Sequence, residues 1–259
     1  MQLIANISML FTELPIGDRL TAALDAGFDG VEIQFPESED MAAIGAAMSA
    51  TGMPVVLINV PRGTGDEVGL AALPGRQTDF REAVAFCAKQ ARTLSARKVN
   101  VLSGRPPSDV DRAECRQVLI DNLRHAADEM EKIGVQVMVE PVNPHDVPGF
   151  FLTGLDMALD VLKEASHPNL FLQFDFYHMA ITEPDLCKAI EKAAPHIGHV
   201  QFADTRGRHE PGSGQIDFAS ALHALRETGY DDVISAEYRP AGETKAGLGW
   251  MKEFRKGLS

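Results

Sequence analysis

The sequence predicts an α/β protein built as a single (β/α)8 TIM barrel, and three observations carry that prediction. Short apolar runs, many of them β-branched, recur along the chain, and each is followed by a longer segment with helical spacing. Parallel strands joined by crossover helices require this alternation. The count reaches eight of each kind, and the length of 259 residues matches the roughly 250 that one such barrel needs. No Ser/Gly/Pro-rich or single-charge stretch divides the chain, and its 45% apolar content is spread along the whole length, enough for one large core. Residues 1–259 are therefore read as one domain.

The first strand is "LIANISMLF" from Leu3, followed by the helical "DRLTAALDAG", where Gly27 suits the position just past a helix C-terminus. Then come "GVEIQF" from Gly30 with "SEDMAAIGAAMSATG", "PVVLINV" from Pro54 with "TDFREAVAFCAKQARTLSA", and "KVNVLSG" from Lys98 with "RAECRQVLIDNLRHAADEMEKIG". The second half supplies "VQVMVEP" from Val135 with "GLDMALDVLKEAS", "LFLQFDF" from Leu170 with "EPDLCKAIEKAAPH", and "HVQFAD" from His199 with "DFASALHALRETG". Last is "VISAEY" from Val233, whose helix falls in the tail "ETKAGLGWMKEFRKG", where two internal glycines work against a continuous helix. An open doubly wound sheet is the alternative, but no G-x-G-x-x-G follows the first strand to support it.

With 37 acidic against 24 basic residues the formal net charge is −13, and a surface field of that sign repels phosphate backbones and anionic membranes. Neither nucleic acid nor a membrane is an expected partner, although a small anionic substrate needs only one or two placed Arg. Cys87, Cys115 and Cys187 are odd in number, widely spaced and all in helical segments, so neither a disulfide framework nor a Cys-based zinc site is expected. The opening residues carry no basic side chain before Arg19 and no cleavage pattern, and no apolar run approaches the length of a membrane span. A cytoplasmic location is the expectation, and assembly as a homo-oligomer stays open.

Chemistry enters at the ends of the last four strands. Glu140 ends "VQVMVE", Asp175 follows "LFLQF", Gln201 follows "GHV" and Glu237 follows "VISA", each separated from the next by about one strand–helix unit. In a barrel this repetition brings four oxygen-bearing side chains to the C-terminal rim, where barrel active sites sit. Buried carboxylates without a counter-charge cost several kcal/mol each or turn neutral. A divalent cation resolves the conflict, and three carboxylates with an amide oxygen suit Mg²⁺ or Mn²⁺ better than zinc. The competing explanation is that these side chains bond backbone groups or Lys and Arg at the strand ends.

Several segments together, "ANISMLFTELP", "ALPGR", "VEPVNPHDVPGFFLT", "QFDFYHM", "GHVQFAD", "RHEPGSGQID" and "AEYRPAGETKAGLGWM", resemble the hydroxypyruvate isomerases of the xylose-isomerase-like barrel group, which also contains ketose 3-epimerases and sugar-acid isomerases. The resemblance spans nearly the whole chain. It implies a rim metal held by Glu140, Asp175, Gln201 and Glu237, with Glu140 and Glu237 also serving as proton-transfer groups. Many epimerases carry His where this chain has Gln201, which favours the isomerase branch.

Around these, His178 lies three residues beyond Asp175, where it is placed to donate a hydrogen bond to a substrate oxygen or to shuttle a hydroxyl proton. The resemblance supports that role; a loop His satisfied by backbone is the alternative. Asp146 in "NPHDVPG" matches a substrate-side acidic position of the group, and is equally explained as a turn-forming Asp. Arg208 holds the group's Arg-x-x-Pro-Gly position and is the expected partner of a substrate carboxylate, ahead of Arg206 and Arg76. "GSG" at Gly212 to Gly214 suggests a mobile loop or a turn.

The expected function is interconversion of hydroxypyruvate and 2-hydroxy-3-oxopropanoate (tartronate semialdehyde) by metal-assisted proton transfer through an enediolate, the partner being a small hydroxy-keto acid. An isomerase or 3-epimerase of a longer oxo sugar acid such as 2-oxotetronate, or of a ketose, would use the same rim. A non-catalytic sugar-binding barrel is disfavoured by the intact pair Glu140 and Glu237. A zinc nuclease is disfavoured because no His ends a strand candidate.

Overall fold

A computed structural model describes residues 1–258, and its strands close into a barrel in which every neighbouring pair is parallel. The strands are β1 (Gln2–Asn6), β2 (Gly30–Ile33), β3 (Val55–Asn59), β4 (Lys98–Val101), β5 (Gln136–Val139), β6 (Leu170–Asp175), β7 (Ile197–Phe202) and β8 (Val233–Ala236), with β8 pairing back onto β1. The helices are α1 (Ile16–Asp25), α2 (Met41–Thr51), α3 (Gln77–Leu94), α4 (Arg112–Glu131), α5 (Leu155–Ala165), α6 (Phe176–Thr182), α7 (Leu186–Ala193), α8 (Phe218–Glu227) and α9 (Met251–Leu258). Five of them open on an Asp whose side chain accepts from first-turn amides, namely Asp40, Asp111, Asp175, Asp185 and Asp217 before α2, α4, α6, α7 and α8. The predicted single barrel is the observed fold.

Strand alternation positions the site. Leu3 and Ala5, Val99 and Val101, Val137 and Val139, Leu172 and Phe174, Val200 and Phe202, and Ile234 and Ala236 all join the main apolar cluster with the helices. Because side chains along a strand point alternately to opposite faces, the residues between them face the barrel interior. Many of them are polar: Asn6, Glu32, Asn100, Gln173, Asp175, His199, Gln201 and Ser235 are all buried. Contacts across the barrel confirm the direction, since Glu32 on β2 meets His199 and Gln201 on β7 and Ser235 on β8. Towards the other end, Ile4, Val56 and Val233 form a separate buried cluster, and Lys98 bonds the Gly198 carbonyl and Asp232.

Three details differ from the sequence expectation. The first strand stops at Asn6 instead of running on to Phe11, because the Asn6 side chain accepts from Ser8 N at 3.1 Å while its carbonyl accepts from Met9 N and Leu10 N, closing a turn. "FYHMAIT" after β6 is a helix, not a loop, and Asp175 caps it by accepting from Tyr177 N at 2.8 Å. The tail forms a 3-10 segment, Lys245–Trp250, that contains Gly247 and Gly249, followed by α9. Among the described residues the cysteines are free, and no helix is long and apolar enough to cross a membrane.

Candidate active site

The C-terminal ends of β5, β6 and β8 bring Glu140, Asp175 and Glu237 into one buried group. The carboxylates are supported unequally. Glu237 Oε1 accepts from Gln34 Nε2 at 2.8 Å and Asn6 Nδ2 at 3.0 Å, and Oε2 pairs with the Arg208 guanidinium. Glu140 has Asn100 Nδ2 at 2.9 Å on Oε2, and its Oε1 faces His178 Nε2 at 3.8 Å. Asp175 commits Oδ1 to the cap of α6 and leaves Oδ2 buried without a hydrogen bond.

Burial raises the proton affinity of all three. Glu140 lies well above the usual carboxylate range, through desolvation first and then repulsion from Glu237 and Asp175. Burial likewise lifts Asp175 to about 6 and Glu237 to about 7, in each case with Arg208 as the main opposing influence. Arg208 is half-buried, and the loss of water works against its charge, yet Glu237, Asp175 and Glu140 hold it firmly protonated. One cation thus serves three carboxylates, and the alternative of Arg partners at strand ends is realised in part.

The imidazole of His178 has its orientation fixed by Asn143. Asn143 Oδ1 accepts from the backbone amides of His145 and Asp146, so Nδ2 faces His178 Nδ1, at 2.7 Å, and Nδ1 is the acceptor. Burial, and then Arg208, push His178 well below its ordinary pKa. The neutral ring therefore carries its proton on Nε2, 3.6 Å from Asp175 Oδ2, and presents a donor to the site.

Gln201 sits in the network beneath. Its Nε2 donates to Glu32 Oε1 at 2.9 Å, which fixes the amide, and its Oε1 accepts from Gln173 Nε2 at 2.7 Å with a second lone pair remaining. Glu32 also accepts from Asn6, Ser235 and His199, and against the desolvation of burial its bonds with His199, Ser235 and Gln201 hold it below its ordinary pKa. Among the described residues, Glu140, Asp175 and His178 each present one ligand atom, all within 4.8 Å of one another. The unpartnered Asp175 Oδ2 and the excess of carboxylates fit a hard divalent cation; His178, protonated on Nε2, is better placed as a donor than as a ligand.

Above this floor opens a cavity of about 190 Å³ reached by Glu140, His178, Arg208 and Glu237, with Gln34 and Arg62 also on its wall. Asp175 and Gln201 are buried behind it. Asp146 is exposed, and the Tyr177 hydroxyl has its pKa raised to about 12 by burial and then by the nearby Asp146. Arg76 is paired with Glu67 and Asp79, and Arg206 is exposed on the loop after β7. The "GSG" segment is a pinned turn: Gly212 N and Gly214 N donate to Asp204 Oδ2, both at 2.9 Å.

The family model described as xylose isomerase-like TIM barrel matches residues 20–254. The chain belongs to that family. It is 38% identical over 252 residues to a 2-oxo-tetronate isomerase of Cupriavidus necator, covering 96% of this chain and 97% of that protein. It is 36% identical over 253 residues to a hydroxypyruvate isomerase of Escherichia coli, covering 97% and 98%. A crystal structure from Brucella melitensis described as an AP endonuclease, family 2, superposes with a TM-score of 0.94 at 35% identity, covering 98% of both chains.

Within this xylose isomerase-like barrel, sequence reasoning missed Asn6, Gln34 and Asn100, which hold the two glutamates, and Asn143, which sets the His178 tautomer. The inward alternation of β1 and β4, which places Asn6 and Asn100 on the same face as Glu32, was the signal available for two of them.

Proposed function

We propose that the protein is an isomerase interconverting hydroxypyruvate and 2-hydroxy-3-oxopropanoate. The observation that carries this is the presence of Glu140 and Glu237 on the wall of one cavity together with the donors His178 and Arg208. The reaction breaks a C–H bond at C3 and forms one at C2, while a hydroxyl proton passes from O3 to O2. Either glutamate in its ionised form accepts the C3 proton, and the protonated one returns it to C2. His178 Nε2–H and the partnerless buried Nε of Arg208 donate to the substrate oxygens as they gain negative charge. Glu140, Asp175 and Glu237 with the Gln201 amide oxygen would hold Mg²⁺ or Mn²⁺, which would supply further stabilisation of the negative charge developing on the substrate oxygens.

The 2-oxo-tetronate isomerase relative, as similar as the hydroxypyruvate isomerase, supports the four-carbon acid as a second substrate reading. Turnover of each acid with Mg²⁺ or Mn²⁺ in deuterium oxide tests both. Conversion with solvent label at C2 is expected, and the larger kcat/KM assigns the substrate. Absence of turnover and of label with either acid refutes the isomerase reading.

A further inference from the structure

An acidic substrate brings its own carboxylate into a cavity whose floor already holds three. Arg208 has its charge committed there, to Glu237 and Asp175. A second cation stands on the cavity wall: Arg62, on the loop after β3. Its guanidinium lies over the Phe35 ring, with Cζ 5.1 Å from the centroid, and among the described residues it makes no salt bridge or side-chain hydrogen bond; Glu37 feels its charge only at longer range. Arg76, on the same loop, is held by Glu67 and Asp79 and so lends its charge elsewhere.

Two features prepare Arg62 for a ligand. The cation–π contact with Phe35 restrains the guanidinium, so its fork needs less further ordering to receive a carboxylate in bidentate fashion. The loop is anchored on both sides: Gly69 N donates to the Arg62 carbonyl at 3.0 Å, and Gly69 adopts φ +134 where a Cβ would stand 2.4 Å from the Leu102 carbonyl oxygen. Repulsion from the floor turns a substrate carboxylate outward, toward this cation, while the carbons to be isomerised point at Glu140 and Glu237.

We infer that Arg62 binds the carboxylate of the substrate at the outer end of the cavity, and so selects short 2-oxo acids over neutral ketoses. The assignment rests on the isomerase reading above and divides the work, Arg208 serving the reacting oxygens and Arg62 the carboxylate.

The test compares hydroxypyruvate with dihydroxyacetone, in which a neutral hydroxymethyl group replaces the carboxylate. Arg62→Gln removes the charge and leaves a shorter polar side chain. KM for hydroxypyruvate should rise on the order of 10- to 100-fold, as expected for one charge-assisted contact, with kcat changing far less. Discrimination against dihydroxyacetone, measured as its inhibition constant relative to that KM, should fall in proportion, and Arg62→Lys should recover part of the loss. An unchanged KM, or equal weakening of both ligands, overturns the assignment while wild-type turnover leaves the isomerase reading standing. Wild-type protein inactive on both 2-oxo acids would instead remove that reading and the Arg62 assignment with it.

Discussion

Arg208 Nη2 lies 3.6 Å from the unbonded Oδ2 of Asp175 while the same nitrogen pairs with Glu237 Oε2. The guanidinium therefore neutralises part of the charge that a bound divalent cation would otherwise balance. It is also held over the Tyr177 ring, 5.3 Å from the centroid, which limits how far it moves when that charge is supplied by metal.

Arg208→Gln removes the resident cation. In the absence of substrate, Mn²⁺ affinity measured by calorimetry should increase several-fold, because the carboxylates lose their competing partner. For the acid substrate, kcat should fall more than KM rises, since a donor to oxygens that gain negative charge acts mainly in the transition state. Weaker metal binding in this variant would show that Arg208 supports the site instead of competing with the ion.

Asp175→Ala removes both the free oxygen and the α6 cap, so Asp175→Asn is the cleaner variant, keeping an acceptor for Tyr177 N. Its Mn²⁺ affinity should fall by about 10-fold or more with the fold retained. Gln201→Ala should weaken Mn²⁺ binding as well, and it leaves Glu32 short of one donor. Normal metal affinity in both variants would remove Asp175 and Gln201 from the ligand set.

The strand-end acids were legible because an apolar run that stops at a carboxylate repeats on successive strands, and the closed barrel turns that repetition into proximity. Asn6, Gln34 and Asn100 were not, since each is an ordinary amide until a carboxylate from a different strand or loop reaches it. Helix α6 was hidden because Asp175 does two jobs: its place at the end of "LFLQF" marks a rim ligand, and nothing else in "FYHMA" announces that it also starts a helix. Arg62 was hidden by its loop. Gly63, Gly65 and Gly69, all with positive φ, shape that segment, and no periodicity tells which of its side chains faces the cavity.

The pH dependence of stability follows from the raised carboxyls. Their folded-state proton affinities exceed those of the unfolded chain, so this contribution is fully present below the ordinary carboxylate range and is lost as pH climbs through about 6 for Asp175 and about 7 for Glu237. Protein treated with a chelator should lose Tm between pH 5 and pH 8 less steeply when Glu140 is replaced by Gln, which cannot ionise. Added Mn²⁺ should raise the wild-type Tm more at pH 8 than at pH 5.5, because protons compete for the same oxygens. Equal metal-induced shifts at both pH values, by differential scanning fluorimetry, would place the metal elsewhere.

Glu237→Gln is nearly isosteric and keeps an amide oxygen for Gln34 and Asn6, but it ends the pairing with Arg208 as an ion pair and removes basicity at that side of the cavity. With metal and substrate still bound, kcat should fall by on the order of 10²-fold or more, the usual contribution of a positioned general base. Glu140→Gln separates two routes. If one carboxylate takes the C3 proton and the other delivers a proton to C2, each variant abolishes net turnover, and the variant that keeps the abstracting base still washes solvent deuterium into C3 of hydroxypyruvate. If a single carboxylate does both, only its variant loses exchange and turnover together, and the other retains measurable turnover. Glu237→Gln protein with wild-type kcat and bound Mn²⁺ would reduce Glu237 to a ligand, leaving Glu140, with its weaker hydrogen-bond support, as the base.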